Sequence, residues 1–132
     1  TYKVIVSGII EEDDFFIEIP IGKVGDDLRR IELSEENGGK SAKTHIKVLE
    51  RNREKNITFL EARLYTGRTH QIRAHLSLIG HPLVGDELYG GDMNLAKRQM
   101  LHAYKLEFQN PKTLENLKVE IEIPLDMKEV LK

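Results

Sequence analysis

The hydrophobic period of this chain changes at one point, and that change limits what it can fold into. Before Thr66 the chain reads as separate strands: Tyr2-Lys3-Val4-Ile5-Val6 and Thr44-His45-Ile46-Lys47-Val48-Leu49 alternate apolar with polar residues, Phe15-Phe16-Ile17-Glu18-Ile19 is stopped by Pro20, and Ile57 to Leu64 makes another. Alternation of this kind turns one row of side chains to a core and the next to solvent, the pattern of an antiparallel sheet. After Thr66-Gly67-Arg68-Thr69 the spacing becomes helical. Ile72, Leu76 and Ile79 share one face between Thr69 and Ile79. Thr69 stands where an N-cap is needed, Gly80 where a C′ residue ends a helix, and Pro82 prevents continuation. Strand character returns over Leu101 to Phe108 and Leu117 to Ile123, with Asn110-Pro111 as a turn between them. Asp126 to Leu131 reads as a short terminal helix. Residues 22–41, rich in glycine and charge, read as a loop. The expected fold is α+β: a mixed, mainly antiparallel sheet of about six strands, one main helix and a short C-terminal helix.

Composition narrows the chemistry. At 132 residues the chain is one domain's worth. It has no cysteine, which removes disulfides, thiol nucleophiles and Cys-based zinc sites, and fits a reducing compartment. No apolar run approaches the ~20 residues of a membrane-spanning helix. The chain opens on Thr1 inside a strand-like run, without an initiator methionine, which reads as a cut from a longer chain. Charge is uneven: residues 1–38 hold four basic and ten acidic side chains, whereas residues 40–73 hold nine basic and three acidic. A basic middle suits an anion-facing surface, and it equally suits a solvated mixed one.

The informative stretch is 64–91, LYTGRTHQIRAHLSLIGHPLVGDELYGG. On its helix His70, Arg73 and Ser77 share a face offset from the apolar stripe, with Gln71 and His75 beside it and Arg68 just ahead. Guanidinium, amide and imidazole groups are thus gathered at one helix start, where backbone N–H groups also point outward. Each has an ordinary alternative: surface ion pairs for the arginines, satisfied structural positions for the histidines. His70 and His75 lie five apart, not at the i, i+4 spacing of a zinc-binding HExxH. His81 before Pro82 reads as a turn histidine with a structural hydrogen bond. Asp86 after Gly85 reads as an acid that closes its turn. No phosphate-binding P-loop, dinucleotide fingerprint or nucleophile elbow is present. The residues themselves lead to a domain able to bind RNA or another polyanion and stop short of a reaction.

The motif order adds to this. L-x-T-G-R-T-H-Q-I-R-x-H-L, I-G-H-P-L-V-G-D and Y-G-G within 64–91 resemble the signature of the RluA/RluD family of pseudouridine synthases. Leu101-His102-Ala103 with Leu106, Phe108 and Asn110-Pro111 looks like a second family element. Tyr2 to Gly8, Pro20-Ile21 and Lys40 to Thr44 resemble others, in the family's order. The resemblance implies a pseudouridine synthase-like fold and the isomerisation of uridine to pseudouridine in ribosomal or transfer RNA. It also implies no metal or organic cofactor, a monomer and a cytoplasmic setting. The family's nucleophilic aspartate lies in an H-R-L-D-type motif upstream of the strand that Tyr2 opens, and no such motif occurs here. Residues 1–132 are therefore expected to be the C-terminal part of a catalytic domain, inactive alone.

Position by position, Tyr2 resembles the active-site tyrosine, whose ring would stack on the target base. Arg73 resembles the active-site basic residue that keeps the nucleophile ionised. Leu106, with Leu101 as rival, resembles the apolar residue beside the uracil. Arg68, His70 and Gln71 are carried as RNA-binding candidates. With its aspartate missing, Arg73 is expected to be an unpaired cation. The competing readings are a noncatalytic RNA-binding module of the same fold and a β-rich interaction domain with an unrelated basic patch.

Overall fold

The alternating runs of the first half assemble into one sheet. The computed structural model describes residues 1–109, 112–113 and 116–132, without the side chains of 105–109 and 116–119. In chain order its elements are β1 (Tyr2–Ser7), β2 (Asp14–Glu18), β3 (Ile21–Gly22), β4 (Ile31–Glu32), β5 (Lys43–Asn52), β6 (Ile57–Leu64), α1 (Gln71–Leu78), β7 (Leu101–Ala103), β8 (Lys105–Gln109), β9 (Asn116–Glu120) and α2 (Leu125–Leu131). The main sheet has the order β2-β5-β6-β1-β7, and β3-β4 and β8-β9 are separate two-stranded ribbons. Among the described residues every ladder is antiparallel.

The pleat gives the sheet two packed faces. Val4, Val6, Leu60, Ala62 and Ile46 face Ile72 and Leu76 of α1, and Tyr2 and Leu64 pack at the margin of that core. Ile5 and Ile57 point the other way, into a second core closed by Val84, Met100, Met127 and Val130. The result is three layers, α1 on one side of the sheet and α2 on the other. Full burial of an isoleucine or leucine contributes roughly 1.5–3 kcal/mol, so the Ile72–Leu76 pair is what anchors α1.

The helix end follows the sequence. Gly80 adopts φ 88°, its N–H donates to the Ser77 carbonyl, and the His81 N–H donates to the Leu76 carbonyl, the paired bonds of a Schellman stop. The helix start does not. His70, not Thr69, is the N-cap residue, in the left-handed region at φ 55° and with no side-chain cap bond.

Two further expectations are corrected. The 22–41 loop carries the β3-β4 ribbon and a 3₁₀ turn over Glu35–Asn37, held because Ile21 bridges Lys40 through paired backbone bonds. The single strand expected from Leu101 to Phe108 is two. β7 pairs β1 with Leu101, His102 and Ala103 opposite Val4, Lys3 and Tyr2, and beyond Tyr104 the chain pairs with β9 instead. Leu106 lies in β8, but its side chain falls outside the described residues, as does the Asn110-Pro111 turn.

Candidate active site

Asp86 defines the site. Its carboxylate is 1% exposed and takes a bidentate grip on the Arg73 guanidinium, 2.8 Å from Nε and 2.9 Å from Nη2. The expectation of an unpaired Arg73 is therefore corrected. Asp86 does lie in a closed turn, with its own N–H on the Leu83 carbonyl and its carbonyl taking the Gly91 N–H. Its side chain, however, is spent on Arg73 rather than on the turn. The turn is tightly packed: a Cβ at Gly85 (φ 79°) would sit 1.9 Å from the Arg98 carbonyl oxygen, and one at Gly91 1.9 Å from that of Leu83. Two glycines thus let the backbone approach closely enough to deliver the carboxylate to α1.

A guanidinium has five N–H donors, and Asp86 occupies the Nε side. Among the described residues no acceptor meets Nη1. The Asp86 bonds raise the Arg73 pKa above its already high ordinary value, so the charge is permanent. Arg73 is therefore an oriented cation, 14% exposed, with one edge free for a second anion.

Tyr89, from the same turn, closes the site on its other side. Its ring lies 5.1 Å from the Arg73 guanidinium carbon, a cation–π contact. Its hydroxyl accepts the Arg30 N–H at 2.8 Å and donates to His70 Nδ1 at 3.0 Å. Burial first, then the Arg73 charge, pushes the His70 pKa down, so the ring is a neutral acceptor. Sequence reasoning missed Tyr89. The signal was there in Y-G-G, but only the fold shows that the tyrosine turns inward.

Gln71 serves differently from the RNA contact expected of it. It is 2% exposed, and its amide is saturated by protein. Its oxygen accepts from Thr66 Oγ1 and the Arg68 N–H, and its nitrogen donates to the Lys43 carbonyl and Thr44 Oγ1. Gln71 thus locks the T-G-R segment to β5 and fixes where Arg68 emerges. The chain of bonds continues: the Thr44 hydroxyl donates to His75 Nδ1, and His75 Nε2–H donates to the Ile19 carbonyl, both at 2.8 Å. His81 holds the Ser7 carbonyl through Nδ1, the structural bond expected of it.

His75 carries a pH dependence. Its ring is fully buried and burial lowers its pKa, so the folded state resists a proton that the unfolded chain accepts near pH 6.5. Stability due to neutral His75 is complete above that value and falls as pH drops through it, by at most about 1.4 kcal/mol per pH unit. The unfolding midpoint in urea is expected to fall between pH 7 and pH 5, and His75→Gln to flatten that slope. An unchanged slope in the variant would assign the effect elsewhere.

Sequence reasoning grouped Arg68, His70, Gln71 and Arg73 correctly at one helix start. Tyr2 sits apart in β1, on the face that packs against α1, and no hydrogen bond or ring contact joins it to Arg73 among the described residues. No described helix is long and apolar enough to cross a membrane.

Comparison with known proteins places this fold in a family. The RNA pseudouridylate synthase family matches residues 1–78, and the chain belongs to that family. It is 43% identical over 128 residues to the uncharacterized RNA pseudouridine synthase YhcT of Bacillus subtilis, covering 97% of this chain and 42% of that one. It is 40% identical over 143 residues to the ribosomal large subunit pseudouridine synthase D of Neisseria meningitidis, covering 98% and 37%. Among solved structures, human RNA pseudouridylate synthase domain containing 1 superposes with a TM-score of 0.80 at 29% identity, covering 92% of this chain and 53% of that one. Human RNA pseudouridylate synthase domain containing 4, at 22% identity and a TM-score of 0.76 over 98% and 59%, shares the fold. The chain spans less than half the length of these curated relatives.

Proposed function

We propose that residues 1–132 form the Arg73-bearing C-terminal part of a pseudouridine synthase catalytic domain acting on uridine in ribosomal or transfer RNA. The observation that carries this reading is the half-used guanidinium. Asp86 fixes the plane of Arg73 and leaves its Nη1 edge to a second anion. In the reaction that anion is a nucleophilic aspartate supplied from outside residues 1–132. Beside a permanent cation in a partly dry site, the carboxylate stays ionised. It initiates cleavage of the N1–C1′ bond, the base turns, C5 joins C1′, and the C5 proton leaves while N1 regains one. The target base leaves its stack to reach the site. Tyr2 offers its ring to that base from the α1-facing side of β1, with Leu106 beside the uracil.

Arg68 and His70 remain RNA contacts at the rim, and Gln71 acts through its hold on Arg68. The reading includes RNA as partner, no metal or organic cofactor, a monomer and a cytoplasmic setting. The test is tritium release from RNA labelled at uracil C5, using a mixed ribosomal and transfer RNA pool, with this chain and the longer chain that contains it side by side. Release by the longer chain alone is the expected result. Binding without release by either would favour a noncatalytic RNA-binding module. Release by residues 1–132 would overturn the placement of the nucleophile.

A further inference from the structure

A cleft of about 320 Å³ is lined by Lys23, Arg30, Lys40 and Arg68 and by no acidic residue, and Arg30 links it through Tyr89 to Arg73. The four cations come from three places in the chain: the loop after β3, the approach to β5, and the lead-in to α1. Several surface cations elsewhere in this domain find carboxylates, whereas Lys55 and Lys97 bond the carbonyls of Val130 and Met93. Arg29 meets Asp27, Lys43 meets Glu18, Arg51 meets Asp13, Arg53 meets Glu11 and Arg98 meets Asp126. None of the four cleft cations does so among the described residues. Arg30 spends one Nη1 bond on the Leu28 carbonyl and Arg68 its Nε bond on the Ser41 carbonyl. Those bonds hold the two guanidinium groups in place, and among the described residues no acceptor meets their other guanidinium N–H groups. Converging like charges without a counter-ion make a site that favours an anion.

The backbone supplies a second, independent sign. Gly67 lines the cleft, has no left-handed φ, and a Cβ there would meet nothing within 4 Å. The fold itself does not require glycine at that position. Its bare backbone leaves room for a group from outside the chain.

We infer that this cleft is a phosphodiester subsite that seats the RNA backbone next to the nucleotide presented to Arg73. The inference rests on the uridine-modifying reading above and deepens it. Arg30 couples the two places. Its side chain lines the cleft, while its backbone N–H holds the Tyr89 hydroxyl, and the Tyr89 ring packs on Arg73. A backbone phosphate held here fixes the register of the strand, so that the base of a neighbouring nucleotide can reach Arg73.

The test uses Lys23→Gln/Lys40→Gln, because both side chains are exposed and their loss leaves the fold intact. Binding of a uridine-containing RNA hairpin is measured over a series of KCl concentrations, beside Lys47→Gln, a control on β5. The double variant is expected to reduce the slope of log affinity against log salt by about 1–2, at roughly 0.7–0.9 per phosphate contact, and to weaken binding about tenfold or more at low salt. In the longer chain it raises KM and leaves kcat near its original value. A slope equal to that of the unchanged protein overturns the subsite while leaving the synthase reading standing. Absence of RNA binding by the unchanged protein overturns both. Titration with inorganic phosphate alone separates the sources: saturation by phosphate with RNA affinity unaltered in the variant would make the cleft a free-phosphate site and overturn the RNA assignment.

Discussion

Replacing Asp86 by alanine lowers the unfolding free energy of the chain by about 3 kcal/mol, because removing one partner of a buried ion pair leaves the other charge uncompensated. Asp86 is 1% exposed and accepts both of its bonds from Arg73, so little water can replace it. The loss is read as a shift in the urea midpoint at constant slope. Arg73→Met alone strands the Asp86 carboxylate and is expected to be comparably costly. The double variant Asp86→Ala/Arg73→Met buries neither charge and is expected to recover a good part of the loss. If the single variants were no less stable than the original chain, or the double cost the sum of both, the pair would not be the anchor between α1 and the Gly85–Gly91 turn.

Arg73→Lys in the longer chain is expected to reduce kcat for tritium release by about 10²–10³, the range for loss of one pre-oriented electrostatic group, with KM little changed. An ammonium is a single point of charge and cannot face the Asp86 carboxylate and a second anion with two edges at once. Because the shorter ammonium side chain still offers Asp86 a cation, this variant is expected to lose less stability than Arg73→Met, which separates the catalytic effect from unfolding. Activity within a few-fold of the original would show that charge alone, without the guanidinium's shape, suffices, and the half-used guanidinium would no longer carry the functional reading.

The strands β1, β2, β5 and β6 were legible because alternation is a local property: each run states which face meets the core, and any register that keeps Val4, Ile46, Leu60 and Ala62 together satisfies it. The stop of α1 at Gly80 was equally local, since only a residue at ease with positive φ ends a helix that way. The Leu101–Phe108 run reads as one strand and is two, for the opposite reason. Its periodicity is continuous, and the break at Tyr104 comes from a change of partner, from β1 to β9, two segments far apart in the chain. Likewise α1 has His70 rather than Thr69 as its N-cap residue, and the Gln71 amide ties that entry to Thr66, Lys43 and Thr44, two of them far away in the chain.

The site divides along the same line. Sequence alone determined that Arg68, His70, Gln71 and Arg73 share one helix start, since helical spacing sets their neighbours on that element. Only the tertiary structure decided what each of them meets. Whether a side chain meets a buried carboxylate, a tyrosine hydroxyl or a mixed set of hydroxyl and backbone groups depends on segments brought to it from elsewhere. Asp86 reached Arg73, Lys43 and Thr44 reached Gln71, and Lys23 and Lys40 converged with Arg68 because two packed faces of a sheet fold distant segments onto one helix. Local pattern encodes which way a residue points, and packing supplies what it meets there.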